Sequence, residues 1–287
     1  MPSRTEQVTP ALLRDWPLPA DADSKYSRGQ VVAVGGARTT PGAVLLAGVS
    51  ALRVGAGRLT LAVARSVAVP MAIALPEAGV VGLPETETGS PDGTGVDQLM
   101  GDLSSADAVL VGPGLDDPDR TVDLLTSMID GIPDEAAVLL DAFALGVLPR
   151  VPEVAERLQG RLVLTPNAKE AALLLGVEEI DDRSAARIAA TYGAVVSCQG
   201  RIAAPDGSQW EVATGLAGLA TSGSGDVLAG ALVGILARGA PPDQAACWAT
   251  HLHAAAGDRL ATRVGRLGYL ARELPDELPT LLTELTP

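Results

Sequence analysis

The stretch GLATSGSGDVLAG, Gly218 to Gly230, sets glycines and serines ahead of a single carboxylate, Asp226, and then continues without charge. Gly223 and Gly225 can take positive φ, and Ser222 and Ser224 are small enough to let a phosphate reach the backbone. The residues that follow, VLAGALVGILA, are apolar all round, which predicts a buried helix from about Val227 to Ala237. Its free N–H groups and the positive end of its dipole would face the same phosphate. Asp226 in the first turn is then a fixed carboxylate beside a phosphoryl group, able to accept the proton of a hydroxyl that attacks phosphorus. An acid at that place also serves as an ordinary helix cap, and the motif alone leaves both roles open. Neither Gly-x-x-x-x-Gly-Lys-Ser/Thr nor a strand-linked Gly-x-Gly-x-x-Gly occurs, so P-loop and Rossmann nucleotide sites are unsupported.

Such an acid needs a scaffold, and the chain alternates short β-rich runs with Ala/Leu-rich helical ones from Gly29 onward. QVVAV (30–34), RLTLAV (58–63), DAVLVG (107–112), AVLLDA (137–142), RLVLTP (161–166) and AVVSC (194–198) are continuous apolar runs. Strands covered on both faces of a parallel sheet read this way. PGAVLLAGVSALRVG (41–55) predicts a helix with Thr40 as N-cap, Pro41 at the first position and Gly55 past the end. In RIAAPDGSQWEVA (201–213) two short strands flank Pro-Asp-Gly, a hairpin signature, and a long helix is predicted from about Pro242 through Arg263. VGPGLDD (111–117), LDAFAL (140–145) and LTPNAKE (164–170) close three of the strands, at the end of an open α/β sheet where ligands bind. Residues 1–24 are polar and aperiodic and read as an N-terminal arm, 25–287 as one α/β domain, and 84–95 as a polar surface excursion.

Composition narrows the partners. A net charge of −14 repels nucleic acid and anionic membranes, although backbone N–H groups can still bind a nucleotide locally. No run approaches the roughly 18 apolar residues of a membrane span, and the N-terminus lacks the apolar stretch of a signal peptide, so a cytoplasmic protein is expected. Cys198 and Cys247 match no metal or redox spacing and read as reduced core thiols. With aromatics at 2%, a purine pocket is expected to be walled by aliphatic side chains and backbone. His251 and His253 stand two apart, the wrong spacing for a shared metal on one helical face, and read as packing residues. Trp210 and Arg38 are open to a ligand role or a surface one.

KYSRGQVVAVGG, PGAVLLAGVSALRVGAG, VGPGL, LDAFAL, LTPNAKE and GLATSGSGDVLAG occur in an order that resembles the NAD(P)H-hydrate dehydratases of the ribokinase-like superfamily, from about Lys25 to the C-terminus. The resemblance implies a ribokinase-like three-layer sandwich, a mostly parallel sheet with helices on both faces. It implies a carbon–oxygen lyase that uses ADP (ATP in many eukaryotic members) with Mg²⁺ to repair the S-epimer of hydrated NADH or NADPH. The C6 hydroxyl would be phosphorylated and then lost as phosphate, leaving AMP. It implies a catalytic Asp226, substrate contacts at Ala43, Gly114, Asn167 and Asp226, and nucleotide contacts at Gln199, Gly200, Arg201, Ile202, Ala203, Gly223, Ser224 and Gly225. Glu170 matches the family's acid three residues after its His. A homotetramer is also implied, with no protein metal ligand. Two positions depart from the pattern: Asn167 replaces the His and cannot titrate near neutral pH, and Gln199 replaces a Lys. The alternatives are an ATP-dependent small-molecule kinase of the same fold and a degenerate nucleotide-binding paralogue.

Overall fold

The computed structural model describes residues 5–20, 23–215 and 217–286. Ten strands form one sheet: β1 Glu6–Gln7, β2 Gln30–Val34, β3 Arg58–Ala64, β4 Gly79–Leu83, β5 Ala108–Val111, β6 Ala137–Leu140, β7 Leu162–Leu164, β8 Val195–Cys198, β9 Arg201–Ala203 and β10 Gln209–Glu211. Their order is β1-β10-β9-β8-β7-β6-β5-β2-β3-β4, and every pair from β4 to β8 is parallel. The β8–β9 and β9–β10 pairs are antiparallel.

Both faces of the sheet are covered, as the continuous apolar runs require. The helices α1 Pro10–Asp15, α3 Ala68–Ala74 and α4 Met100–Leu103 are short, and α2 Pro41–Arg53 is longer and packs on the sheet. The chain continues through α5 Pro118–Met128, α6 Phe143–Val147, α7 Pro152–Arg157, α8 Ala168–Leu175, α9 Ser184–Tyr192, α10 Ser224–Ala237, α11 Pro242–Arg263 and α12 Leu274–Leu285. Val31, Leu61, Leu110, Leu139 and Val163 pack with α2, α10, α11 and α12 on one face. Their neighbours Val32, Ala62, Val109, Leu140 and Leu164 pack with α5–α9 on the other. The result is the expected three-layer α/β sandwich. No described helix is long and apolar enough to cross a membrane. Cys198 and Cys247 are free and buried, and burial pushes both thiols above their usual range.

Several local expectations are corrected. β1 and β4 are strands beyond those expected: β1 is two exposed polar residues held by parallel pairing with β10, and β4 is GVVGL, a short glycine-containing edge strand. Helix α10 begins at Ser224, three residues earlier than the apolar run suggests, because Ser224 and Gly225 take the first turn themselves. Thr40 precedes α2 without capping it; its hydroxyl donates instead to Gly114 O at 2.8 Å. The 84–95 loop is no free excursion. Ser90 in it is buried and donates to Asp116, and Glu85 pairs with Arg38, which ties this segment to the loop before α2.

The central α10 can lie against α2 only because Gly230 has no side chain. A Cβ there would sit 2.1 Å from Ala47 O, and one on Gly234 would meet Ala51 O at 2.7 Å. Backbone cannot yield as a side chain does. Gly230→Ala is therefore expected to lower stability by about 3 kcal/mol, read as a reduced urea midpoint with unchanged slope.

Candidate active site

Three elements meet at the C-terminal ends of the parallel strands. The first is the Gly-rich loop. Gly223 turns the chain into α10 with φ +88°, a conformation a side chain would strain, and a Cβ there would also lie 2.7 Å from Leu46. Gly225, by contrast, is helical. Asp226 follows in the first turn, half-buried. Among the described residues it accepts no hydrogen bond, so it does not act as a cap. Burial pushes its carboxyl up to about 6, and the charge of Glu170 adds to the shift. An unpartnered carboxylate with a raised pKa is suited to proton transfer near neutral pH.

The second element is the end of β7 and the start of α8. Asn167 Oδ1 accepts from the Lys169 and Glu170 N–H groups, and Glu170 Oε2 accepts from Asn167 N, a complete capping box. Asn167 is thus committed through its oxygen to the helix it starts. Burial raises the Glu170 pKa. Next to it, at the end of β6, Asp141 is 5% exposed and accepts a 2.7 Å hydrogen bond from Thr165 Oγ1. Burial, with the nearby Asp226 and Glu170 charges, pushes Asp141 up to about 8, so it is largely protonated at neutral pH.

The third element is the β8–β9 turn with α11. Gln199 and Gly200 both have positive φ, 52° and 79°, which makes a tight hairpin of two antiparallel strands. Between this turn, the β7 end and the Gly-rich loop lies a cavity of about 630 Å³. Asn167, Gln199, Gly200, Ser224 and Gly225 line it, with Thr250 and His253 one turn apart on α11. No Phe, Tyr or Trp is in the lining. His253 Nε2 lies 2.9 Å from Ser224 Oγ, and burial pushes its pKa down to about 4, so a neutral imidazole holds the loop hydroxyl.

The remaining candidates divide. Ala43 and Gly114 meet at the start of α2: a Cβ on Gly114 would lie 3.2 Å from Ala43 Cβ. They are joined to the Gly-rich loop through Leu46, one turn further along α2. Arg201 turns away from the cavity and pairs with Asp182 and Glu211 at 3.0 and 3.2 Å. Ile202 and Ala203 are buried in the two cores. Trp210 stacks on Trp16, ring centroids 6.0 Å apart, away from the cavity lining. Among the described residues no three His, Cys, Asp or Glu side chains are grouped to hold a metal. Asp141, beside the site, was not singled out in the sequence, and His253, expected there as a packing residue, lines the cavity. Asp141 had a signal, a lone acid ending an apolar strand; His253 had only a helical position shared with Thr250.

The chain is similar in sequence and in fold to known proteins. The family model described as NAD(P)H-hydrate dehydratase covers residues 31–280. The chain belongs to the NAD(P)H-hydrate dehydratase family. It is 44% identical, over 98% of both chains, to the ADP-dependent (S)-NAD(P)H-hydrate dehydratase of Xanthomonas campestris pv. campestris. It is 38% identical to the bifunctional NAD(P)H-hydrate repair enzyme of Moorella thermoacetica, across 90% of this chain and 50% of that one. The chain therefore spans 98% of the single-function dehydratase relative and about half of the bifunctional one. Among solved structures, the ADP/ATP-dependent NAD(P)H-hydrate dehydratase of Bacillus subtilis co-crystallized with ATP/Mg²⁺ superposes with a TM-score of 0.78 at 26% identity, covering 98% of this chain and 99% of that one. A ribokinase-like superfamily protein of Enterococcus faecalis gives 0.83 at 23%, covering 98% and 96%, and supports the ribokinase-like fold alone.

Proposed function

We infer that the protein is an ADP-dependent (S)-NAD(P)H-hydrate dehydratase, working in the cytoplasm on hydrated NADH or NADPH. The observation that carries this reading is the unpartnered Asp226 carboxylate in the first turn of α10, whose preceding residues Ser224 and Gly225 line a nucleotide-sized cavity. Asp226 takes the proton of the C6 hydroxyl, and that oxygen attacks the β-phosphorus of ADP, with AMP leaving. Hydroxide is a poor leaving group and phosphate a good one. The ring-nitrogen lone pair then helps expel phosphate from C6, and loss of the C5 proton restores the dihydronicotinamide. The N–H groups at the start of α10 face the transferring phosphoryl oxygens, and Ser224, held by His253, keeps that turn in place.

The residues present fit a magnesium ion in one way. They form no protein cage, yet Asp226 and Glu170 stand near enough for one charge to raise the pKa of the other. Such a setting suits an ion carried mainly by nucleotide phosphates with a carboxylate alongside. When bound, magnesium would spread the charge developing on the phosphoryl group.

Incubation with hydrated NADH and ADP is expected to restore the dihydronicotinamide absorbance with one AMP formed per turnover. No recovery with either ADP or ATP would overturn the reading, and accumulation of a stable phosphorylated product would favour a kinase. The base must be ionised to work, so kcat/KM is expected to rise with pH through about 6 and then level. A pH–rate profile flat from pH 5 to 8 would exclude Asp226 as the titrating base.

A further inference from the structure

The inferred reaction brings two ligands to Asp226, a nucleoside diphosphate and a dinucleotide. The dinucleotide carries an adenine ring far from its reacting carbon. One base-sized cavity is accounted for by the nucleotide at the Gly-rich loop. A second, of about 440 Å³, opens at the ends of β5 and β6. Leu115, Phe143, Val147 and Leu173 wall it, and Glu170 is the one titratable residue in its lining. Glu170 is also the residue whose charge acts on Asp226, which ties this cavity to the neighbourhood of the reacting carboxylate. Leu115 follows directly on Gly114, which packs against the start of α2.

The cavity is built for a flat neutral group. Phe143 is the sole phenylalanine of a chain with 2% aromatics, and it stands half-buried in this wall. It is placed there by Ala142, which takes φ 48° and ψ −116°, a costly conformation for a residue with a side chain and one that clusters at ligand sites. Leu173 is 51% exposed, leaving apolar surface in water beside the opening. No Lys or Arg lines the cavity, so it offers nothing to a phosphate.

We propose that this cavity holds the adenine ring of the hydrated dinucleotide, stacked on Phe143 and covered at its edge by Leu173; the assignment rests on the dehydratase reading. The test compares kcat/KM for hydrated NADH with that for hydrated reduced nicotinamide mononucleotide, which lacks the adenosine half. The unsubstituted protein prefers the dinucleotide. Phe143→Ala is expected to cut that preference about tenfold by lowering kcat/KM for the dinucleotide alone. Leu173→Asp, at an exposed position that folding does not need, is expected to cut it about fivefold. The proposal is overturned by an unsubstituted protein with no preference, or by variants that slow both substrates equally. It is also overturned if Leu173→Asp changes the sedimentation behaviour and leaves both kcat/KM values alone, which would make the cavity a contact between copies. Failure of the unsubstituted protein to turn over hydrated NADH at all would instead sink the dehydratase reading, and the adenine site with it.

Discussion

Asp226→Asn is expected to lower kcat by about a thousandfold or more, within the range a positioned general base supplies. The substitution keeps the shape and removes only the ability to take a proton. Nothing in the fold leans on the charge: among the described residues the carboxylate accepts no hydrogen bond, and burial together with Glu170 works against its ionised form. The variant is therefore expected to be at least as stable as the parent at neutral pH. It should also bind ADP with near-parental affinity, because the loop N–H groups and the Ser224–His253 bond are untouched. Kinetics, a urea titration and calorimetric ADP binding on one preparation separate these effects. Retained turnover would show that another group accepts the proton. Lost turnover with lost ADP binding would show that Asp226 serves the nucleotide site instead.

The parts of this protein that were legible in its sequence share a physical cause. The six apolar runs are interior strands, and burial on both faces leaves no room for alternation, so composition alone reveals them. Helix α11 occupies Pro242–Arg263, the span its sequence predicts, since proline fixes its first turn. The edges escape the same reading. Glu6 and Gln7 are exposed and polar and gain their strand only from the backbone of β10, a partner roughly two hundred residues away. Asp226 stood out because it is the one charge between a flexible loop and an uncharged helix. The role of Asn167 in its capping box was written locally, in Asn-x-x-Glu. His253 could not be read so: its bond to Ser224 crosses 29 residues and depends on how α10 and α11 pack. Nor could the path of Arg201: the preceding Gln199 and Gly200 line the cavity, while its own guanidinium pairs with Asp182 and Glu211.

Asp141 yields the largest expected effect on stability. In the folded protein its pKa stands at about 8, against 3.8 for the ordinary group. Between those values the folded chain holds a proton that the unfolded chain has released, so unfolding sheds a proton and stability falls as pH rises. The penalty is absent below about pH 4 and complete above about pH 8. At about 1.4 kcal/mol per unit it is on the order of 6 kcal/mol, a large share of the ~5–15 kcal/mol typical of a folded domain. Asp141→Asn keeps an oxygen for Thr165 Oγ1 to donate to while removing the buried charge. Urea midpoints at pH 5 and pH 8 are expected to differ strongly for the parent and much less for the variant. The variant should be the more stable of the two at pH 8. Equal pH dependence in the two proteins would mean that Asp141 is already ionised when folded, with a cation or water reaching it. A stabilising substitution next to Asp226 and Glu170 argues that the acid is kept for chemistry rather than for folding. A fall in kcat for Asp141→Asn, alongside its gain at pH 8, would show that trade directly.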